Sequence, residues 1–111
     1  IKMYNDNYYL IARAGDTFKS IGKEVHISYK KIAKANERNK KDRLEAGDII
    51  YLKKKRKRAD KAFKNRPHIV KAGESMYSIA QTYGIRLKSL YKKNHLSSDY
   101  QIAVGDTLRV Y

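Results

Sequence analysis

The side chains that could carry chemistry here are three histidines, eleven carboxylates and a dense run of lysines and arginines. His26, His68 and His95 are isolated: no two stand at metal-binding spacing, and no Gly-flanked Ser marks a nucleophile elbow. Glycoside hydrolysis needs two carboxylates across a cleft, about 5 Å or roughly 6.5–9.5 Å apart. Asp16 with Asp48 and Glu74 with Asp106 invite that reading. Each of the four follows a glycine, however, and the two pairs recur at a constant offset of 58 residues, which a repeated turn explains. There is no Cys, so disulfides, thiolate zinc sites and Cys nucleophiles are excluded. The expectation is a chain without catalytic activity, metal or cofactor.

Those residues must be positioned by very little protein. The chain has 111 residues, enough for one ordinary domain or two very small ones. Its longest apolar runs, such as Ile49-Ile50-Tyr51-Leu52, fall far short of the roughly 20 residues that span a bilayer. It begins with Ile1 and shows no charged-then-apolar targeting segment, so it reads as a processed product or an excised piece. The net charge of +15 is unevenly spread: +4 over residues 1–52, +8 over 53–66 and +3 over 67–111. The central stretch is polar, without hydrophobic periodicity until Phe63, and stops before Pro67. It is expected to be an extended basic linker kept open by self-repulsion.

Sliding the sequence against itself by 58 residues brings its two halves into register without a gap. Ala14-Gly15 meets Ala72-Gly73, Ser20-Ile21 meets Ser78-Ile79, Asn36 meets Asn94 and Gly47-Asp48 meets Gly105-Asp106. Each half reads as a short apolar strand ending at a Gly turn, then Thr17 or Ser75 as a helix N-cap. Phe18, Ile21 and Val25, like Met76, Ile79, Ala80 and Tyr83, recur at helical spacing and predict one buried face. His26 and Gly84 are expected to end that helix in the left-handed conformation. A second short helix follows, capped by Ser28 in the first unit, and Asn36 or Asn94 is expected to stop it through its tolerance of left-handed backbone. A Gly-Asp turn then leads to the closing strand. The predicted class is α+β: two βααβ modules, each with two helices on one face of a two-stranded antiparallel sheet. The expected boundaries are a tail over 1–8, modules over 9–52 and 67–111, and the linker over 53–66.

In these residues the chain resembles the LysM module. The second unit carries His68-Ile69-Val70-Lys71-Ala72-Gly73-Glu74-Ser75-Met76, Ser78-Ile79-Ala80, Tyr83-Gly84-Ile85, Leu90, Asn94 and Val104-Gly105-Asp106-Thr107-Leu108-Arg109-Val110. The first keeps Gly15-Asp16-Thr17-Phe18, Ile21, Ile27, Ile32, Asn36 and Gly47-Asp48-Ile49-Ile50, and departs at Ala12, Gly22 and Arg38. The resemblance implies a non-catalytic module that binds N-acetylglucosamine glycans, peptidoglycan or chitin-like oligomers, and targets a larger protein or wall hydrolase to a bacterial cell envelope. It also implies a groove between the loop after the first strand and the loop after the second helix. That places Gly73, Glu74, Ser75 and Met76 opposite Asn94, Leu96, Ser97, Asp99, Tyr100 and Ile102. A second, weaker site would use Gly15, Asp16, Thr17, Phe18, Asn36 and Leu44, with Arg38 standing where the other unit has Leu96.

Simpler roles compete with these. The glycines suit turn geometry, Asp16, Thr17, Glu74 and Ser75 suit caps, and Phe18 and Met76 suit the core. Tyr100, in a polar loop without periodicity, is the better sugar platform. Two other functions compete as well. One is a structural, protein-interaction role for the units. The other is non-specific binding of nucleic acid, anionic wall polymers or lipid headgroups through Lys53, Lys54, Lys55, Arg56, Lys57 and Arg58. That run lacks interleaved aromatics for base stacking, so such binding would be salt-dependent.

Overall fold

A glycine turn follows the strand that precedes the first helix of each unit, and a carboxylate closes that turn. The computed structural model describes all 111 residues and divides them into two compact units, Ile1–Lys55 and Arg56–Tyr111. The first contains β1 (Lys2–Tyr4), β2 (Asn7–Ile11), α1 (Phe18–Val25), α2 (Tyr29–Ala35) and β3 (Ile49–Tyr51). The second contains a 3-10 turn (Lys61–Phe63), β4 (His68–Ile69), α3 (Met76–Tyr83), α4 (Leu87–Lys93) and β5 (Thr107–Leu108). β2 pairs antiparallel with β3, and β4 with β5. The fold is α+β, as expected.

Four turn carboxylates perform the same task. Asp16 accepts a hydrogen bond from the Arg13 amide at 2.9 Å, Asp48 from Glu45 at 3.0 Å, Glu74 from Lys71 at 2.7 Å and Asp106 from Ala103 at 3.0 Å. Gly15, Gly47, Gly73 and Gly105 sit at φ of 85°, 98°, 84° and 93° beside them, a region that favours glycine. Each first helix then starts with a reciprocal capping box. Thr17 accepts from the Ser20 amide while Ser20 accepts from the Thr17 amide, and Ser75 and Ser78 do the same. His26 and Gly84 end these helices left-handed, at φ 58° and 67°.

Two expectations about the second helices are corrected. Ser28 makes no side-chain cap bond, and Asn36 and Asn94 are not left-handed, both having φ of −103°. The left-handed residues come one place later, at Glu37 and His95. The asparagines instead lock helix to strand. The Asn36 amide donates to the Ile32 and Tyr51 carbonyls, both at 2.8 Å, and its oxygen accepts from the Tyr51 amide at 2.8 Å. Asn94 repeats this with Leu90 and Arg109. The side chain thus behaves as one more residue of backbone beside the closing strand.

Each unit has its own core. Phe18, Ile21, Ile32, Ala33 and Ile50 centre the first, and Ile79, Ala80, Ile85, Leu90 and Val110 the second. Gly22, where the second unit has Ala80, lies in close approach to the next connection. A Cβ there would stand 2.7 Å from the Ile27 carbonyl oxygen.

Residues 1–8 are not a tail. Asn5 and Asp6, at φ 48° and 57°, form a two-residue hairpin turn, so β1 pairs with β2 and the first sheet has three strands. Asn7 then bonds both the amide and the carbonyl of Lys53. The basic run is not a free spacer either. The Lys55 side chain is fully buried with its ammonium 2.5 Å from Glu37. Burial lowers the Lys55 pKa, and the Glu37 bond and charge oppose that. Arg56 accepts from the Arg86 amide, the Ala59 amide donates to Val110, and buried Ala59 joins the second core. Asp60 caps the 3-10 turn, and Phe63 meets Tyr83 edge-on with ring centroids 5.1 Å apart.

Two outcomes follow from the locks and turns. Asn36→Ala strands the Tyr51 amide and carbonyl in a buried place, so urea unfolding should show a loss of about 3 kcal/mol; a loss under about 1 kcal/mol would contradict the lock. Backbone bonding lowers the Asp16 carboxyl below its ordinary value of 3.8 despite some burial. Burial opposes ionisation of Glu74, but the bonds and charges of His68 and Lys71 prevail and hold it below its ordinary 4.5. Groups depressed in the folded state stabilise it above their unfolded pKa and lose that contribution as pH falls through the folded pKa. Thermal midpoints should therefore hold above about pH 5 and drop in more acidic buffer, with a shallower drop in the Asp16→Asn/Glu74→Gln variant. An unchanged acid slope in that variant would assign the effect to other groups.

Candidate functional site

The two loops of the second unit differ in how much of their polarity is already committed. In the turn after β4, Glu74 holds the Lys71 amide and also meets His68 Nε2 at 2.9 Å. His68 Nδ1 lies 2.7 Å from the Tyr83 hydroxyl, and the two rings stack edge to face. Ser75 is occupied as a cap and Met76 is buried in the core, so Met76 is removed from the groove lining expected of it. Gly73 and Ser75 remain on the surface.

In the loop after α4, Asn94 is the strand lock described above, which accounts for its presence without a ligand. The Leu96 amide donates to the Tyr91 carbonyl at 3.0 Å, and half-buried Leu96 and Ile102 pack against the same core as Met76. Both loops are therefore seated on one apolar cluster. The Ser97 hydroxyl donates to the Asp99 carboxylate. Tyr100 is 40% exposed, with its hydroxyl donating to Asp106 at 3.0 Å. The Asp106 bond and charge raise the Tyr100 phenol above its ordinary value, and the bond ties the hydroxyl to the Gly105-Asp106 turn. Elsewhere in the unit, Ile69 of β4 and Val104 before the Gly105 turn are exposed to 59% and 70%, apolar surface with no motif to mark it. Only their departure from the buried, periodic positions could have signalled it.

The first unit is built differently at the same places. Phe18 and Asn36 are wholly buried and Leu44 nearly so; these three serve the core and the lock, contrary to their placement in a second glycan site. Gly15 and Thr17 are exposed, and Asp16 is spent on its turn. Arg38 pairs with Asp42 at 3.0 Å, approaches Asp48 at 3.7 Å, donates to the Arg43 carbonyl and lies 5.9 Å from the Phe18 ring centroid. The loop that is half apolar in the second unit is thus charged and internally paired in the first. Of the proposed polyanion contacts, Lys53, Lys54, Arg56, Lys57 and Arg58 are on the surface, whereas Lys55 is buried and paired. Lys55 is withdrawn from that set.

None of this assembles a catalytic pair. Asp16, Asp48, Glu74 and Asp106 are engaged as turn closures, and no group of His, Asp and Glu could hold a metal ion. What remains around the loops of the second unit is a positioned aromatic ring, two half-buried aliphatic side chains and exposed loop backbone, suited to holding a neutral, amphipathic ligand.

Comparison with known proteins agrees with the internal repeat. The LysM domain family model matches residues 10–53 and 68–110, most of the chain. An autolysin of Enterococcus faecalis is 30% identical over 103 residues, covering 88% of this chain and 14% of that protein. The chain therefore spans about one-seventh of that relative's length. Among solved structures, the spore cortex-lytic enzyme SleL of Bacillus cereus matches at 28% identity and a TM-score of 0.40, over 95% of this chain and 22% of that one. SleL of Bacillus megaterium matches at 21% identity and a TM-score of 0.39, over 94% and 22%. With both repeats matched over most of their length, the chain belongs to the LysM family as a tandem pair of its non-catalytic modules.

Proposed function

We propose that the second unit binds N-acetylglucosamine glycans such as peptidoglycan and thereby targets a longer envelope protein to the cell wall. The observation that carries this reading is the commitment of Glu74 and Asp106 to internal bonds, which leaves the loop of Leu96, Tyr100 and Ile102 to offer apolar and aromatic surface: Leu96 and Ile102 half-buried on the core, and Tyr100 exposed with its hydroxyl tied to Asp106. An N-acetyl sugar needs no titratable machinery. Its acetamide takes hydrogen bonds from loop backbone, and its methyl and ring faces take apolar contact. LysM membership supports the glycan class, and the autolysin match supports attachment to a wall enzyme. The first unit, with Arg38 and its ion pairs in place of an apolar wall, contributes less.

Calorimetric titration with neutral N-acetylglucosamine oligomers of increasing length tests this. Binding should strengthen with oligomer length and persist at high salt, since no ion pair is involved. Tyr100→Ala should weaken it about tenfold, while Tyr100→Phe, which keeps the ring and loses only the Asp106 bond, should stay within about threefold. Equal losses for Ala and Phe would shift the role from the ring face to the Asp106 bond. No change for Tyr100→Ala together with Leu96→Ala, in a folded variant, would remove this surface from the site.

A further inference from the structure

We propose that the second unit carries a separate anion site for a phosphodiester polymer without bases, formed by Lys64, Lys93 and Arg109 around Tyr111, with Arg58 at its edge. Two cavities carry the argument. One, of about 290 Å³, is lined by Lys64, Asn65, Lys93, Arg109 and Tyr111. The other, of about 240 Å³, shares Lys64, Asn65, Arg109 and Tyr111 and extends to Phe63, Pro67 and Val110. The two adjoin across Lys64, Asn65, Arg109 and Tyr111 and make up a cation-lined depression. None of the groove residues discussed above lines it.

The charges there are crowded. Lys64, Lys93 and Arg109 form no ion pair with a carboxylate. Partial burial lowers the Lys93 ammonium, and the like charges of Arg58 and Arg109 lower it further. Arg58 is held at this place by its guanidinium, 4.6 Å from the Tyr111 ring centroid. Lys64, Lys93 and Arg109, like charges with no carboxylate partner, repel one another, and a polyanion laid across these three relieves that repulsion. The repeat offers an internal comparison, because shifting by 58 residues puts Ala35 in place of Lys93 and Tyr51 in place of Arg109. Tyr51 is buried with its ring 5.9 Å from that of Tyr9. At these two positions the first unit has neutral side chains where the second has cations, and in place of Lys64 it has Asp6.

The aromatic rings argue against a nucleic acid. Tyr111 already has the Arg58 guanidinium over it, and Phe63 is engaged by Arg66 at 5.8 Å and by the Tyr83 edge. Stacking of bases would have to displace these. The Asn65 amide and Tyr111 hydroxyl suit instead the hydroxyls of a polyol linked through phosphates, and Arg109 suits a phosphate oxygen pair.

The test uses the full chain and a synthetic glycerol phosphate oligomer. Its comparison ligands are a thymidine oligonucleotide matched in phosphate number, phosphatidylglycerol vesicles and free inorganic phosphate. The oligomer should bind at low salt and weaken as salt rises. The Lys93→Gln/Arg109→Gln variant should lose at least about tenfold in affinity and reduce the salt slope by about two. Lys88→Gln/Lys92→Gln removes the same charge from the same unit outside the depression and should change affinity less than about threefold. Lys93→Arg/Arg109→Lys should retain binding. Equal losses in the two Gln variants would reduce the site to diffuse charge. Stronger binding of the oligonucleotide would replace the proposed ligand with nucleic acid, and binding to vesicles alone would replace it with a lipid surface. Free phosphate binding as tightly as the oligomer would overturn the polymer. Binding of neutral N-acetylglucosamine oligomers should be the same in all these variants, so the two readings fail separately.

Discussion

One side-chain amide in each unit holds the second helix to the closing strand. Asn36 and Asn94 each bond a helix carbonyl and both backbone groups of a residue fifteen positions on, Tyr51 at the end of β3 and Arg109 just past β5. A sheet of two or three short strands cannot satisfy the inner edge of its last strand by itself, and units of some 55 residues bury too little apolar surface to tolerate a pair of orphaned backbone groups. With the lock made, the loop after the second helix must return to the Gly-Asp turn. The surface on which Leu96, Tyr100 and Ile102 stand follows from that closure.

The same economy explains why polar residues at the loops point to binding and not to reaction. Each turn uses a carboxylate to hold an amide three residues upstream, and each first helix uses a hydroxyl pair for its own cap. Acidic groups that look catalytic in the sequence are consumed in making the loops rigid. Rigidity of this kind lowers the entropy cost of presenting an aromatic ring and loop amides to an uncharged sugar. Charge recognition in the second unit falls instead to Lys64, Lys93 and Arg109, a different face built from cations with no turn to close.

The 58-residue repeat, the caps at Thr17 and Ser75 and the left-handed ends at His26 and Gly84 were legible because each rests on local rules of spacing and backbone preference. Asn36 and Asn94 were recognised as stop points but given the wrong physics: their partners, Tyr51 and Arg109, are distant in sequence, and the positive φ passes to Glu37 and His95. The hairpin of residues 1–8 had a signal, the Asn5-Asp6 pair between Tyr4 and Asn7, but no repeat partner to draw attention to it. Nothing local separates Lys55 from the lysines around it. Its ammonium pairs with Glu37, eighteen residues away and brought near only by the fold. Met76, Phe18 and Leu44 illustrate the remaining ambiguity, since an apolar residue next to a loop can serve core or ligand, and here packing takes all three.

The most direct measurement is backbone amide shift mapping of the full chain by NMR during titration with a neutral N-acetylglucosamine oligomer. The account predicts saturable changes concentrated at Gly73 to Ser75 and Leu96 to Ile102, with the first unit and the amides of Lys64, Lys93 and Arg109 largely unmoved. Changes centred on Gly15 to Phe18 or on the cationic depression, with the 96–102 loop silent, would contradict it.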